Sequence, residues 1–422
     1  MTAATVMESP HRAPRWKLVA AASAGNALEW FDFVIYGFFA VTMAKLFFPT
    51  GNETISLLLA LATFGVTFFM RPFGAIILGS YADRHGRKAA FTLTILIMMV
   101  GTAIIAVAPT YSSVGILAPI LIVLARMIQG FSAGGEFGSA TAFLAEQNPA
   151  RRGFFSSWQF ASQGLTTILA TAIGVTLTTT LSQNQIDSWG WRIPFLLGLL
   201  IGPVAYYIRR YTDETAEFRS SAISPAPLRE ALTSSKKRLL ISLGVVVLCT
   251  VSMYTVLFMP SYAIRQLGLT ASGGFLGGLL TGVIQVVLIP IFGNLSDRYG
   301  RLPIAYASAA AMLVSIYPLF AWLAASPTLM TLLMVQAIIG VLMAGYMGGL
   351  GALMSELFPT RMRTTGLSIS YAFGVAIFGG FAPFINTWLV EVTNKLAPSF
   401  YLMFAAVISL LALRGAQKLG AK

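Results

Sequence analysis

Apolar runs of about twenty residues, each closed by a short polar cluster, recur along the chain from Leu18 to Leu413. At a rise of about 1.5 Å per residue, a helix of that length crosses a hydrocarbon core about 30 Å thick. The pattern predicts twelve spans, at 18–44, 55–81, 89–108, 114–145, 154–181, 191–209, 239–263, 273–293, 303–324, 328–356, 364–390 and 398–415. The longest polar stretch, Tyr211 to Arg238, carries charges, serines and Pro225 and Pro227, and reads as a linker between two halves. The expected organisation is a tail at 1–16, a six-helix bundle at 17–210, a linker at 211–238, a second six-helix bundle at 239–416 and a tail at 417–422. The first span is too long for the apolar core of a leader peptide and lacks a small-residue cleavage site, so no removed segment is expected.

Composition agrees with burial in lipid. The 422 residues are 56% hydrophobic and 10% charged, whereas soluble chains are about a quarter charged. The class expected is therefore an all-α membrane protein. A net charge of +13 would point to nucleic acid in a soluble protein, but here the placement of the charge matters more than its sum. With the N-terminus inside, 22 of the 28 Lys and Arg fall in the inner loops and tails, four in outer loops (Lys45, Arg192, Arg265, Lys395) and two within spans (Arg71, Arg126). That bias predicts both termini in the cytoplasm. Basic residues near the linker, such as Arg209, Arg210, Lys236, Lys237 and Arg238, then face anionic headgroups, and the partner surface is the bilayer rather than nucleic acid.

Several chemistries are excluded. Cys249 is the only cysteine, and His11 and His85 are the only histidines, so neither an internal disulfide nor a metal site is expected. No nucleophile has a base beside it, and no phosphate loop or dinucleotide fingerprint is present, so neither an enzyme nor a cofactor is expected. Without a phosphate loop to couple ATP, any uphill movement of solute would draw on an ion gradient.

The two halves repeat each other. The segment GSYADRHGRK, from Gly79, recurs as GNLSDRYGRL, from Gly293, at an offset of 214. A second pair, RMIQGFSAGGEFGSATAFLAEQNPAR from Arg126 and QAIIGVLMAGYMGGLGALMSELFPTR from Gln336, aligns without gaps at an offset of 210. Parallel repeats of this kind predict two pseudo-symmetric bundles with a site between them near mid-depth.

These motifs resemble the major facilitator superfamily over essentially the whole length, most specifically in the loop motif GxxxDRxGRK. Within it, GNALEWFDF on the first span, MRPFG on the second, RMIQGFSAGGE on the fourth and WGWRIPF opening the sixth resemble the metabolite–proton symporters. SSWQFASQG and AIFGGFAP are similar to the citrate and tricarballylate branch. The resemblance implies the major facilitator fold, alternating access, a small organic anion such as citrate as substrate, and protons as the coupling ion. It also implies a monomer in a bacterial inner membrane. Relatives that carry 2-oxoglutarate, shikimate, proline or betaine are the alternatives, and a sensor that keeps the fold without transport is a further one.

Charged side chains inside a membrane are costly, which marks Glu29, Asp32, Arg71, Arg126 and Glu136 as candidates. Gly25, Glu29, Asp32 and Tyr36 share one stripe of the first span, and Arg126, Gln129, Ala133 and Glu136 share one of the fourth. Depth counting pairs Asp32 with Arg126 and Arg71 with Glu136. At the matched positions the second half has Gln336 for Arg126, Tyr346 for Glu136 and Gln285 for Arg71. The first bundle is therefore expected to titrate and to bind the ionic part of a substrate. The second offers neutral partners, Tyr254, Gln285, Gln336, Tyr346 and Asn386, while Gln159 and Gln163 share a face of the fifth span. Three carboxylates against two guanidiniums leave a surplus negative charge, so one carboxylate must gain a proton before an anion shares the arginines. Asp32 is the expected coupling group, with Glu29 and Glu136 behind it; in the sugar–proton symporters an Asp on helix one faces an Arg on helix four in a similar way. For Arg71 and Glu136 a structural ion pair between helices is the alternative. Asp83, Arg87, Asp297 and Arg301, with Glu146, Arg151, Glu356 and Arg363, are expected to form latches on the cytoplasmic side.

Overall fold

A computed structural model describes residues 15–85, 87–134, 136–210, 235–359 and 363–421. The linker stretch 211–234 and the side chains of Glu29, Asp83, Arg87 and Glu136 lie outside the described residues, as do the expectations placed on them. Every regular element described is helical. Helix one is Arg15–Phe38, helix two Glu53–His85 and helix three Arg87–Val107; helix four has two pieces, Leu117–Ser132 and Glu136–Glu146. Helix five is Arg152–Thr180 and helix six Ile193–Arg210. The second half follows with helix seven at Lys236–Arg265, helix eight at Ala271–Tyr299 and helix nine at Arg301–Ala325. Helix ten comprises Leu329–Gly348 and Leu350–Leu357, helix eleven runs from Arg363 to Val392 in three pieces, and helix twelve is Ala397–Lys418. Among the described residues eight helices are individually long and apolar enough to cross a bilayer, and helix one makes a ninth with its continuation Ala40–Phe47. Three shorter apolar helices, Leu93–Val107, Leu117–Ser132 and Gly190–Leu200, complete the twelve.

The differences from the sequence pattern lie inside spans. The run at 18–44 bends by 71° after Phe38, which hydropathy cannot register because both arms are apolar. Helix four breaks where Gly134 meets helix two: a Cβ there would lie 2.3 Å from the Ala75 amide nitrogen and 2.4 Å from the Arg71 carbonyl oxygen. Its counterpart in the second half is Ala344, and helix ten runs through that position unbroken. Helix eleven widens into a π-turn at Val375–Gly379, with Gly380 donating to the Val375 carbonyl at 2.7 Å, where its backbone closes on Thr250 and Tyr254 of helix seven.

Helices five and eight form the most extensive contact between any two helices among the described residues. Gly164 and Gly282 meet there nearly backbone to backbone. Toward the termini the start of helix five leaves amides free, as every helix does. Asp297 of helix eight supplies the acceptors across the bundle boundary: Gly153 donates to its Oδ1 and Phe154 to its Oδ2, both at 2.8 Å. Arg301 braces Asp297 at 3.0 Å and reaches Glu356 at 3.2 Å, while Arg363 joins Glu146 of the other bundle at 3.2 Å. Arg151 donates to Asn294 at 2.9 Å rather than to a carboxylate.

The opposite face is bridged as well. Arg265 of helix seven donates to the Glu53 carbonyl at 3.0 Å and to Thr54 Oγ1 at 3.2 Å, and Thr54 donates to Glu391 of helix eleven at 3.4 Å. The two bundles are thus tied together above and below their midplane.

Replacing Asp297 by Ala removes the acceptor for two backbone amides, and a hydrogen bond to a charged group is worth about 1.5–3 kcal/mol. In a Cys249→Ser background, a cysteine placed at Ser157, buried in the seam behind this contact, is expected to react with a maleimide about tenfold faster in Asp297→Ala. Equal rates would show that Asp297 does not hold that face closed.

Candidate functional site

The site begins with two arginines in an aromatic box. On helix two, Phe64, Phe68 and Arg71 follow one another at spacings of four and three, which stacks them on one face. Helix one brings Trp30, Phe33 and Tyr36 against that face. The Arg71 guanidinium carbon lies 4.7 Å from the Trp30 ring centre, 5.0 Å from Phe33 and 5.0 Å from Phe68. Arg126, from helix four, lies 4.5 Å from Tyr36, 5.4 Å from Phe64 and 5.5 Å from Phe33. Phe33 is therefore shared by the two cations.

Each guanidinium is buried, Arg126 at 0% exposure and Arg71 at 4%. Ring faces attract a cation without taking its N–H groups. Nε and Nη2 of both arginines accordingly have no hydrogen-bond partner among the described residues. Such donors cost free energy when buried unless something accepts from them.

Asp32 and Arg126 are neighbours, but no carboxylate–guanidinium pair within 4.0 Å joins them among the described residues. Arg126 Nη1 donates to the backbone carbonyl of Asp32 at 3.3 Å and to Gln129 Oε1 at 2.8 Å. Gln129 Nε2 donates to Thr102 Oγ1 at 3.0 Å, and that hydroxyl donates to Asp32 Oδ2. The other carboxylate oxygen has no partner among the described residues and lies over Gly198 of helix six. The direct ion pair expected between Asp32 and Arg126 is replaced by a bridge through Gln129 and Thr102. Whether Arg71 meets Glu136 falls outside the described residues.

The second bundle closes the box with Tyr254, whose ring centre is 5.2 Å from that of Phe68 and 5.8 Å from that of Phe64, and whose hydroxyl has no partner among the described residues. Gln163 is fully buried with both amide atoms unpartnered, and Gln285 Oε1, across Gly164 from it, is unpartnered too. Gln159 binds Asn26 at 2.9 Å, Gln336 accepts from Thr281 at 3.1 Å and Asn386 donates to Thr255 at 3.3 Å, each keeping one amide atom free among the described residues. Other side chains are committed elsewhere: the Tyr346 hydroxyl donates to the Val245 carbonyl at 2.7 Å and that of Tyr36 to the Ala60 carbonyl at 3.2 Å. Sequence reasoning missed Trp30, Phe33, Phe64, Phe68 and Thr102; the Phe64–Phe68–Arg71 spacing was the available signal for the rings.

Comparison with known proteins places this geometry. Residues 17–223 match the family model described as sugar (and other) transporter, and residues 280–416 the major facilitator superfamily model. The chain is 37% identical over 395 residues to the citrate-proton symporter of Klebsiella pneumoniae, covering 92% of this chain and 89% of that one. It is 34% identical to the proline/betaine transporter of Escherichia coli (strain K12), covering 94% and 82%, and 33% identical to the alpha-ketoglutarate permease of the same strain, covering 94% and 92%. A solved structure, the crystal structure of D-xylose-proton symporter, superposes with a TM-score of 0.75 over 96% of this chain and 97% of that one at 16% identity, a likeness of fold alone. The repeat, the twelve helices and the relatives agree, and the chain belongs to the major facilitator superfamily, as a membrane transporter.

Proposed function

We propose that the protein is a proton symporter that imports a small polycarboxylate, with citrate or a related tricarboxylate as the best fit, by alternating access across a bacterial inner membrane. The supporting observation is the pair of buried guanidiniums that share Phe33, each with Nε and Nη2 free of partners among the described residues. Both lie within 5.5 Å of one ring centre. Two carboxylates of a single substrate can therefore engage both, as bidentate acceptors suited to a planar donor fork. A zwitterion with one carboxylate would leave the other cation unmatched. A dicarboxylate such as 2-oxoglutarate fits the same pair, and the resemblance to the alpha-ketoglutarate permease favours it as the second reading.

Asp32 is the coupling carboxylate in this proposal, with Glu29 and Glu136 in support. An ionised Asp32 beside Arg126 opposes an incoming anion, and a proton on Asp32 removes that opposition. The sign follows: uptake is full where Asp32 is protonated and declines as external pH rises. Tyr254, Gln163 and Gln285 supply neutral hydrogen bonds to the substrate; Arg71 is a ligand rather than half of a structural pair. Asp297, Arg301, Glu356, Glu146, Arg363 and Arg151 act as the gate on the side of the termini, which the basic loops place in the cytoplasm. The protein works as a monomer.

In proteoliposomes, an inward proton gradient is expected to accelerate citrate uptake at least tenfold. Asp32→Asn should abolish that acceleration while sparing citrate counterflow, which needs no net proton movement. Citrate uptake indifferent to the gradient in the unaltered protein would defeat the proposal. Arg71→Lys keeps the charge but not the planar fork, and is expected to raise the citrate KM about tenfold, equal to about 1.4 kcal/mol. An unchanged KM would assign Arg71 to packing alone.

A further inference from the structure

Helix three contributes one polar side chain to the site, Thr102, buried at 1% exposure. Its hydroxyl stands at a junction. It donates to Asp32 Oδ2, accepts from Gln129 Nε2 at 3.0 Å, and has a second acceptor in reach, the Met98 carbonyl one turn back at 3.1 Å. The junction is built by close approaches on two sides. A Cβ at Gly101, beside it, would lie 2.6 Å from Gln129 Cγ, and a Cβ at Gly198 of helix six would lie 2.3 Å from Asp32 Oδ1. Helices three and six can seat the carboxylate and the amide this tightly only because both positions are bare.

A hydroxyl has one proton to give and two lone pairs to share. While Asp32 is ionised, it draws that proton, and the Thr102 oxygen is left to hold the Gln129 amide. Gln129 must then turn its oxygen to Arg126, which restrains the guanidinium. Once Asp32 carries a proton, the acid becomes the donor and the hydroxyl turns to Met98, so the hydroxyl proton has an acceptor in either state. The acid and the Gln129 amide now share one oxygen, which loosens the restraint on Arg126. The charged group facing Asp32 among the described residues is Arg126, from helix four. Among the described residues helix three presents Thr102, helix six presents Gly198, and Tyr36 on helix one turns its ring to Arg126.

We infer that Thr102 is a positioning residue for proton coupling: its hydroxyl switches between Asp32 and the Met98 carbonyl with the charge of Asp32, and passes that state through Gln129 to the arginine that holds the substrate. This rests on Asp32 being the coupling carboxylate.

The test is the external-pH profile of citrate uptake into proteoliposomes. Deleting a donor that serves only the ionised acid favours the protonated form, so in Thr102→Val the midpoint is expected to move up by about one pH unit, the size of one charge-assisted hydrogen bond. Thr102→Ser keeps the hydroxyl and should restore the original midpoint. An unmoved midpoint in Thr102→Val, or a serine variant shifted as far as the valine one, overturns the inference. Asp32→Asn separates the two layers. If it keeps the original pH profile, the coupling assignment and this inference fall together; if it loses pH dependence while Thr102→Val leaves the midpoint in place, only this inference falls. Should Thr102→Val not support uptake, Thr102→Ala carries the same expectation, read from the pH midpoint of the citrate-induced change in tryptophan fluorescence of the purified protein. Trp30, against Arg71, is the reporter nearest the site.

Discussion

The arrangement of this protein depends on two cations, Arg71 and Arg126, that are buried against aromatic rings with no carboxylate paired to either guanidinium among the described residues. An ionised group in such a place loses several kcal/mol of hydration even after the surroundings relax. Five aromatic rings, Trp30, Phe33, Tyr36, Phe64 and Phe68, return part of that by facing the guanidiniums, and their contribution has a particular character. A carboxylate would neutralise an arginine and occupy its hydrogen bonds, so that a substrate would have to displace it. Rings do the first job weakly and the second not at all. Helices one and two therefore carry Trp30, Phe33, Phe64 and Phe68 at the depth where a transport site is needed, and Nε and Nη2 of Arg71 and Arg126 stay free of protein acceptors among the described residues.

Asymmetry between the bundles follows from the same requirement. The halves are repeats in chain and in helix order, but both cations belong to the first and the matched positions of the second are glutamine. Tyr254 is the side chain by which the second bundle reaches the aromatic box, and it comes from helix seven opposite the π-turn of helix eleven. With polar bridges between the bundles on both faces, the box lies between two closures. The helix five–helix eight seam, with Gly164 on Gly282, joins the bundles along much of their height without interlocking side chains at that point.

How much of this was legible in the chain varied with the physics behind each feature. A bilayer demands long apolar helices and taxes every charge within them, so the twelve spans and the burial of Asp32, Arg71 and Arg126 within them could be read directly. The motif repeats disclosed Asp297, Arg301 and Glu356 as a cluster. The bend after Phe38 could not be read, because hydropathy is indifferent to direction. Phe33 and Phe68 look like any aromatic residue facing lipid or a neighbouring helix, and only coordinates show a cation above them. Thr102 is a single hydroxyl in an apolar helix. Tyr346 was expected to face the site on the strength of its match to Glu136, yet a hydroxyl is satisfied by the nearest carbonyl, and that belongs to Val245. The bridge from Arg265 to Glu53 and Thr54 joins two helix ends that no internal repeat marks.

The closure on the side of the termini is made largely to main-chain atoms, since Asp297 grips the amides of Gly153 and Phe154 at the exposed positive end of helix five. Any amino acid except proline offers an amide there. Gly153 is confined by Ser296 and Asp297, where a Cβ would come within 2.3 Å and 2.9 Å, while the ring of Phe154 makes no contact with the carboxylate and instead lies 4.7 Å from the Arg151 guanidinium. A lineage that rewrites that side chain consequently gives up the ring beneath Arg151 but inherits the two main-chain fastenings to Asp297 unchanged.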